Sequence, residues 1–306
     1  MIFLYLYPKY ENMNIVCATD HNYVQHCCVM LASFFENNPK GEHAVYLLTE
    51  SLDKSDLDFI QKVVNSYRGR FFYYFIDSQL LINCPIKATD HLSIATYNRL
   101  FMAALLPDDV DKVLYLDCDI IVNSNIDELW ETPLEDNYVV AAVDEMGCCA
   151  GDVHERLGFD AKYGYFNAGV LLVNLHYWRK HNMTSAFLEY IEHNLDKLNA
   201  HDQDVLNAFF YDKVIHVSLA WNVELIFYFY GIIKKFNFDR GLRYVLRHPK
   251  ILHFTWKPKP WEPSCQHPFR INYYRYLKKI GENPLSFRAT LQALWDKYYF
   301  CFLIRW

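Results

Sequence analysis

The chain has 306 residues, 52% of them hydrophobic and 22% charged. This excludes a disordered chain and leaves room for one large packed domain, alone or with an appendage. The net charge of −6 is unevenly spread: residues 234–306 carry 15 basic and 4 acidic side chains, and the remainder is strongly acidic.

Taken in order, Met1–Tyr7 is apolar but too short to span a bilayer. It lacks a basic flank and a cleavage site, so residues 1–12 read as a dispensable leader. No apolar run is long enough for a membrane span. Residues 13–20 read as a strand ending at Asp20, and 21–37 as a helix with Val24, Cys28, Leu31 and Phe35 on one face. A strand over 43–49, a helix over 52–67 and a strand over 71–76 continue an alternation that predicts a mostly parallel sheet. Residues 93–106 read as a helix closed by Pro107. The run from Val113 to Val122 follows, then a short helix at 127–130 and a strand over 138–143 ending at Asp144. Residues 146–163, with Gly147, Gly151 and Gly158, read as a loop suited to be a lid. Next come a strand over 165–174, helices over 184–198 and 202–211, and strands at 214–217 and 251–254. The remainder, 264–306, reads as a helical tail broken at Pro284. Its basic and aromatic residues suit either an anionic partner or a merely solvated face. Nine cysteines in odd number, with no C-x-x-C or zinc spacing, read as buried reduced thiols of a cytosolic protein.

The chemistry centres on Leu116-Asp117-Cys118-Asp119. Residues i and i+2 of a strand face one side, so the two carboxylates stand together at a carboxyl end, where open α/β sheets bind ligands. Neighbouring carboxylates repel unless a cation lies between them, and they suit Mg²⁺, Mn²⁺ or Ca²⁺. An isolated Asp-x-Asp is also an ordinary polar turn. Asp20, Asp144, Asn167 and the His201-Asp-Gln-Asp204 cluster add polar groups at other element ends, although Asp202 alone would pass as a helix cap. His253 ends an apolar strand and is followed by Lys257 and Lys259 among prolines. An imidazole can complete a metal shell and a lysine can neutralise phosphate. Together these parts suit a diphosphate leaving group. There is no Walker loop and no nucleophile elbow, and no partner of nucleic-acid type is expected.

Asp20 with Asn22-Tyr23, His91 to Arg99, Leu116 to Asp119, Tyr165-Phe-Asn-Ala-Gly-Val-Leu-Leu172, His201 to Asp204 and His253 to Trp261, in that order, resemble glycosyltransferase family 8. These are the retaining galactosyl- and glucosyltransferases of bacterial lipopolysaccharide. The resemblance covers roughly residues 13–261. It implies an α/β GT-A fold, a catalytic domain over 13–263, a UDP-hexose donor, a glycolipid or oligosaccharide acceptor and Mn²⁺, with Mg²⁺ as an alternative. It implies Asp117, Asp119 and His253 as metal ligands; Ala18, Asp20, Asn22 and Tyr23 around uracil, with Asp117 and the Cys118 backbone at the nucleotide; and Lys259, with Lys257, at phosphate. Arg99, Asp144, Asn167, Ala168, Asp202 and Gln203 would hold the donor hexose, with Gln203 and Asp202 at the reacting carbon. It further implies front-face attack, because an amide is a poor nucleophile, and a tail that attaches the enzyme to the inner face of the cytoplasmic membrane. Where the family often has glycine three residues after the histidine, this chain has Trp256, so its side chain must turn away or the loop must shift. A haloacid-dehalogenase-type phosphatase also places Asp-x-Asp after a strand. It usually has Thr or Val where this chain has Ile121, and its acids lie near the chain start. A non-catalytic nucleotide-sugar- or glycan-binding module is the other alternative.

Overall fold

A computed structural model of the chain describes residues 12–82, 84–85, 94–145, 152–229, 240–265, 267–282 and 286–303. Residues 1–11 of the expected leader, His91 to Ser93, Met146 to Gly151 and Pro284 lie outside the described residues. The elements are β1 (Asn14–Ala18), α1 (Val24–Asn37), β2 (Ala44–Thr49), α2 (Lys54–Ser66), β3 (Arg70–Phe75), α3 (Met102–Leu105), β4 (Lys112–Leu116), β5 (Ile120–Val122) and α4 (Asp127–Trp130). They continue as β6 (Val140–Ala142), α5 (Val153–Leu157), β7 (Val170–Asn174), α6 (Leu175–Lys180), α7 (Met183–His193), α8 (His201–Phe210) and β8 (Val214–His216). The chain closes with β9 (Val223–Glu224), α9 (Arg240–Arg247), β10 (Ile251–His253), α10 (Arg270–Lys279) and α11 (Phe287–Leu303).

Among the described residues, seven strands form one sheet in the order β3-β2-β1-β4-β7-β6-β8. Every neighbouring pair is parallel except the two made by β7. The central strands are buried on both faces, which is why they read as unbroken apolar runs. Alternate residues feed two cores: Ile15, Cys17, Leu114 and Leu116 pack with α1 and α10, while Val16, Val113, Tyr115 and Leu171 pack with α3, α6, α7 and α8. The chain leaves β1 towards β2 and β3 on one side and returns to β4 on the other. β1 and β4 therefore flank a switch point, where a crevice opens at the strand ends.

The run from Val113 to Val122 is two strands. After Asp119 the chain leaves the main sheet, and β5 joins a second sheet in the order β5-β10-β9. Ile94–Phe101 is a 3-10 helix that passes into α3, where helical spacing alone predicts one α-helix. Three residues per turn put Thr96 and Arg99 on one side. Among the described residues of the expected loop, Gly158 caps α5 at φ +81°. α10, beyond the boundary expected at 264, buries Tyr273, Tyr276 and Leu277. Tyr276 accepts a hydrogen bond from Asn37 of α1 at 2.8 Å. No helix among the described residues is long and apolar enough to cross a membrane.

Candidate active site

Because β1, β4 and β6 run parallel, the residues that follow them come to one edge of the sheet. β7 runs the other way, so the residues that precede it come to the same edge. This brings together Asp20, Asp117 to Asp119, Asp144 and Asn167 to Gly169. The second sheet adds the histidine: β10 pairs with β5 so that His253 stands opposite Ile120, and the Phe254 N–H donates to the Asp119 carbonyl at 3.0 Å. His253 Nε2 lies 3.2 Å from Asp119 Oδ1 and 3.6 Å from Asp117 Oδ2.

The ligating atoms of Asp117, Asp119 and His253 lie within 4.8 Å of one another. Two carboxylates and an imidazole fit Mn²⁺ or Mg²⁺. The backbone is shaped around them. A Cβ on Gly169 would fall 2.2 Å from His253 Cε1 and 2.7 Å from Asp117 Oδ2, so only glycine fits. Burial alone would raise the Asp119 carboxyl. Lys259 and His253 beside it override that and hold it well below the usual carboxylate range. Lys259 Nζ donates to Asp119 Oδ2 at 2.5 Å and to the Phe254 carbonyl at 2.7 Å. Lys257 is exposed. Trp256 takes φ +65° and turns its ring out, 67% exposed.

Arg99 is the buried hub. Its Nη2 donates to Asp117 Oδ1 at 2.8 Å, and its Nε pairs with Asp202 Oδ2 at 2.9 Å. Its Nη1 bonds the Ala168 carbonyl, and its guanidinium covers the Tyr115 ring at 4.4 Å. Burial raises Asp202 against the pull of Arg99. The Thr96 hydroxyl donates to Asp202 and the Tyr115 hydroxyl to Asp117.

Towards β1, the Cys118 thiol donates to the Ala18 carbonyl at 3.1 Å, and Asp20 caps the turn that carries Asn22. Tyr23 stands edge-on to Trp261 at 5.7 Å. His26 stacks on Trp261 at 3.4 Å, and its Nδ1 is hydrogen-bonded to the Tyr273 hydroxyl of α10 at 2.8 Å. Towards β6, the Ala168 N–H donates to Gln203 Oε1 at 3.0 Å, and Gln203 Nε2 donates to Glu145 Oε1 at 3.0 Å. Asp144 accepts from the Tyr165 N–H and bridges Phe166. Asp204, from the same polar cluster, serves the scaffold: Arg156, Tyr165 and the Asn199 and Ala200 N–H groups all bond its carboxylate.

Hydrogen bonds and ion pairs join Arg99, Asp117, Asp119, Ala168, Asp202, Gln203, His253 and Lys259 of the expected residues into one network. Asp20, Asn22, Tyr23 and Asp144 instead make contacts with their own neighbouring elements, and Lys257 is exposed on the loop that carries Lys259. Sequence reasoning missed Thr96, Tyr115, Glu145 and Asn222. Glu145 follows Asp144 directly and had that signal. Asn222 precedes a two-residue strand that carries no periodicity to find it by.

The mostly parallel sheet with paired acids at its switch point is the GT-A fold of glycosyltransferases of known structure. The galactosyltransferase LgtC, solved in complex with donor and acceptor sugar analogs, superposes with a TM-score of 0.77 at 26% identity, over 91% of this chain and all of that one. General stress protein A of Bacillus subtilis is 28% identical over 93% of this chain and 99% of its own. The lipopolysaccharide 1,3-galactosyltransferase of Salmonella typhimurium is 27% identical over 93% of this chain and 82% of its own. The model of glycosyl transferase family 8 matches residues 14–265, and the chain belongs to that family.

Proposed function

We propose that this glycosyltransferase moves galactose or glucose from a UDP-hexose to a saccharide acceptor on a surface glycolipid, lipopolysaccharide or a relative of it, with retention of configuration. The observation that carries this reading is the meeting of Asp117, Asp119 and His253 at the β1/β4 switch point. Mn²⁺ or Mg²⁺ held by these three would draw negative charge off the departing diphosphate. Ala18, Asp20, Asn22 and Tyr23 receive the uracil, the Cys118 backbone the ribose, and Lys259 with Lys257 the phosphates. Arg99, Asp144, Asn167, Ala168 and Asp202 hold the hexose. Gln203 faces the anomeric carbon, held by Ala168 and Glu145 at its two amide atoms. Retention ordinarily calls for a carboxylate nucleophile, and an amide does that poorly. The acceptor hydroxyl therefore attacks on the face from which UDP leaves. The bond from C1 to the diphosphate oxygen breaks, the bond to the acceptor oxygen forms, and the hydroxyl proton passes to the diphosphate.

The similarity to the Salmonella enzyme supports a lipid-linked acceptor, and α11 supports a peripheral site of action at the inner face of the cytoplasmic membrane. Leu291, Trp295, Tyr298 and Phe302 follow one another on one helix face and are all exposed, a surface suited to a bilayer interface. The exposed Arg275 and Lys278 on α10 suit anionic lipid.

A panel of UDP-sugars with Mn²⁺ tests the reading. Slow release of UDP from one sugar without acceptor, abolished by a chelator, is expected. Inorganic phosphate as the product would indicate the phosphatase alternative, and binding without turnover the binding-module alternative. Sugar transfer undiminished by a strong chelator would sink the metal assignment.

A further inference from the structure

A chain of buried amides runs from the candidate metal ligands to Gln203, and its hydrogen bonds fit only one sense. The Gly169 N–H, which can only donate, bonds Asn167 Oδ1 at 2.9 Å. That fixes the Asn167 carboxamide, and its Nδ2 donates to Glu145 Oε1 at 3.2 Å. At the far end the Ala168 N–H fixes Gln203 in the same way, with Gln203 Nε2 on the same Glu145 oxygen. Asn167 Oδ1 also accepts from Asn222 Nδ2 at 2.8 Å. Asn222 is fully buried. With its Nδ2 committed, it turns Oδ1 to His253 Nδ1 at 3.0 Å. An oxygen without a proton can only accept there, so Nδ1 must carry the hydrogen. In the neutral ring that leaves the Nε2 lone pair facing Asp117 and Asp119.

We propose that Asn222 is a positioning residue that fixes His253 as the Nδ1–H tautomer, with Nε2 free to ligate a divalent cation between Asp117 and Asp119. The proposal rests on the metal reading above. Its sense is set by the two backbone N–H donors and Glu145, none of which touches the ion. A ligating histidine needs its other nitrogen held by an acceptor. Here the acceptor is an amide whose own orientation is dictated two residues away.

The test uses the full chain with ¹⁵N-labelled histidine, the His253 signals being assigned by their loss in His253→Ala. In metal-free wild type the Nδ1 of His253 should carry a proton held by Asn222 Oδ1, in the neutral ring and in the imidazolium alike. Finding Nδ1 without a proton overturns the proposal without recourse to any Asn222 variant. Asn222→Leu removes the acceptor and should shift the proton to Nε2. It should weaken Mn²⁺ binding, measured calorimetrically with UDP present, by about 10–100-fold. Asn222→Asp keeps an acceptor for Nδ1–H but loses the donor to Asn167. It should keep the wild-type tautomer and bind Mn²⁺ within about threefold of wild type. A purely structural role for Asn222 predicts instead that both variants lose binding alike, and that result overturns the proposal. If wild type shows the Nδ1–H tautomer but binds no Mn²⁺, the relay stands and the metal reading of the function falls.

Discussion

Gly169 shows how little space the site allows. Its missing side chain is filled by His253 and Asp117. Its N–H holds Asn167, and its carbonyl accepts from the Asp117 N–H at 2.9 Å. Gly169→Ala should displace the imidazole by more than a bond length and lower Mn²⁺ affinity at least tenfold while the protein still folds, as checked by calorimetric titration beside a thermal melt. Trp256 is the opposite case, a bulky residue at φ +65°. A left-handed L-residue costs about 1–2 kcal/mol, and glycine loses roughly 0.5–1 kcal/mol more backbone entropy on folding. Because the ring is exposed, Trp256→Gly should leave stability within about 1 kcal/mol of wild type in urea denaturation. Asp117 and Asp119 were legible because a strand's alternation orients both side chains. The need for glycine at 169 was not legible, because the atoms that exclude a Cβ belong to residues distant in the chain.

At the scale of elements, the tail divides in two. α10 packs Tyr273, Tyr276 and Leu277 into the core. Its Tyr273 hydroxyl accepts from Gln25 and is hydrogen-bonded to His26, which stacks on Trp261. α11 rests on α10 through Arg270–Asp296 and Lys297–Asn272 and leaves its aromatic stripe in solvent. Cutting the chain at 264 would therefore remove core residues as well as any membrane contact. Substitution on the exposed face separates the two effects. Trp295→Ser, Tyr298→Ser and Phe302→Ser together should leave the urea midpoint within about 1 kcal/mol of wild type, as surface changes usually do. They should abolish co-sedimentation with vesicles rich in phosphatidylglycerol. Unchanged sedimentation would remove α11 from the membrane proposal. The basic and aromatic composition of 264–306 was visible in sequence. Which of its aromatics are buried depends on the far wall supplied by α1, and no local pattern reports that.

At the scale of the whole molecule, the alternation of strands and helices was readable because each central strand is apolar on both faces. The direction of β7 was not, since a strand's direction leaves no mark on its residue pattern. β10 was read as a strand, but the break that sends β5 out of the main sheet into the second one and the two-residue β9 carry almost no period. That second sheet nevertheless delivers His253, and its neighbourhood encloses a further histidine that makes folding sensitive to acid. His267 is buried against Phe254 and Tyr228. Its Nδ1 accepts from the Phe269 N–H at 3.0 Å, and burial pushes its pKa down to about 3. The unfolded chain protonates this ring below about pH 6.5 while the folded one does not. Unfolding therefore takes up a proton, and the stabilisation falls as pH drops from about 6.5 towards 3. Buried Glu224 and Asp202, both raised chiefly by burial, act with the opposite sign, since the folded state protonates them first. The total pH profile therefore mixes both, and a variant isolates the histidine. His267→Asn keeps an acceptor for the Phe269 N–H but cannot titrate. It should be less stable than wild type at pH 7, where the lost ring packing dominates. The gap between the two in urea denaturation should narrow by about 2 kcal/mol on going to pH 5, from about 1.5 pH units of differential protonation. A gap that stays constant between those pH values would mean that His267 is protonated in the folded protein as readily as in the unfolded chain.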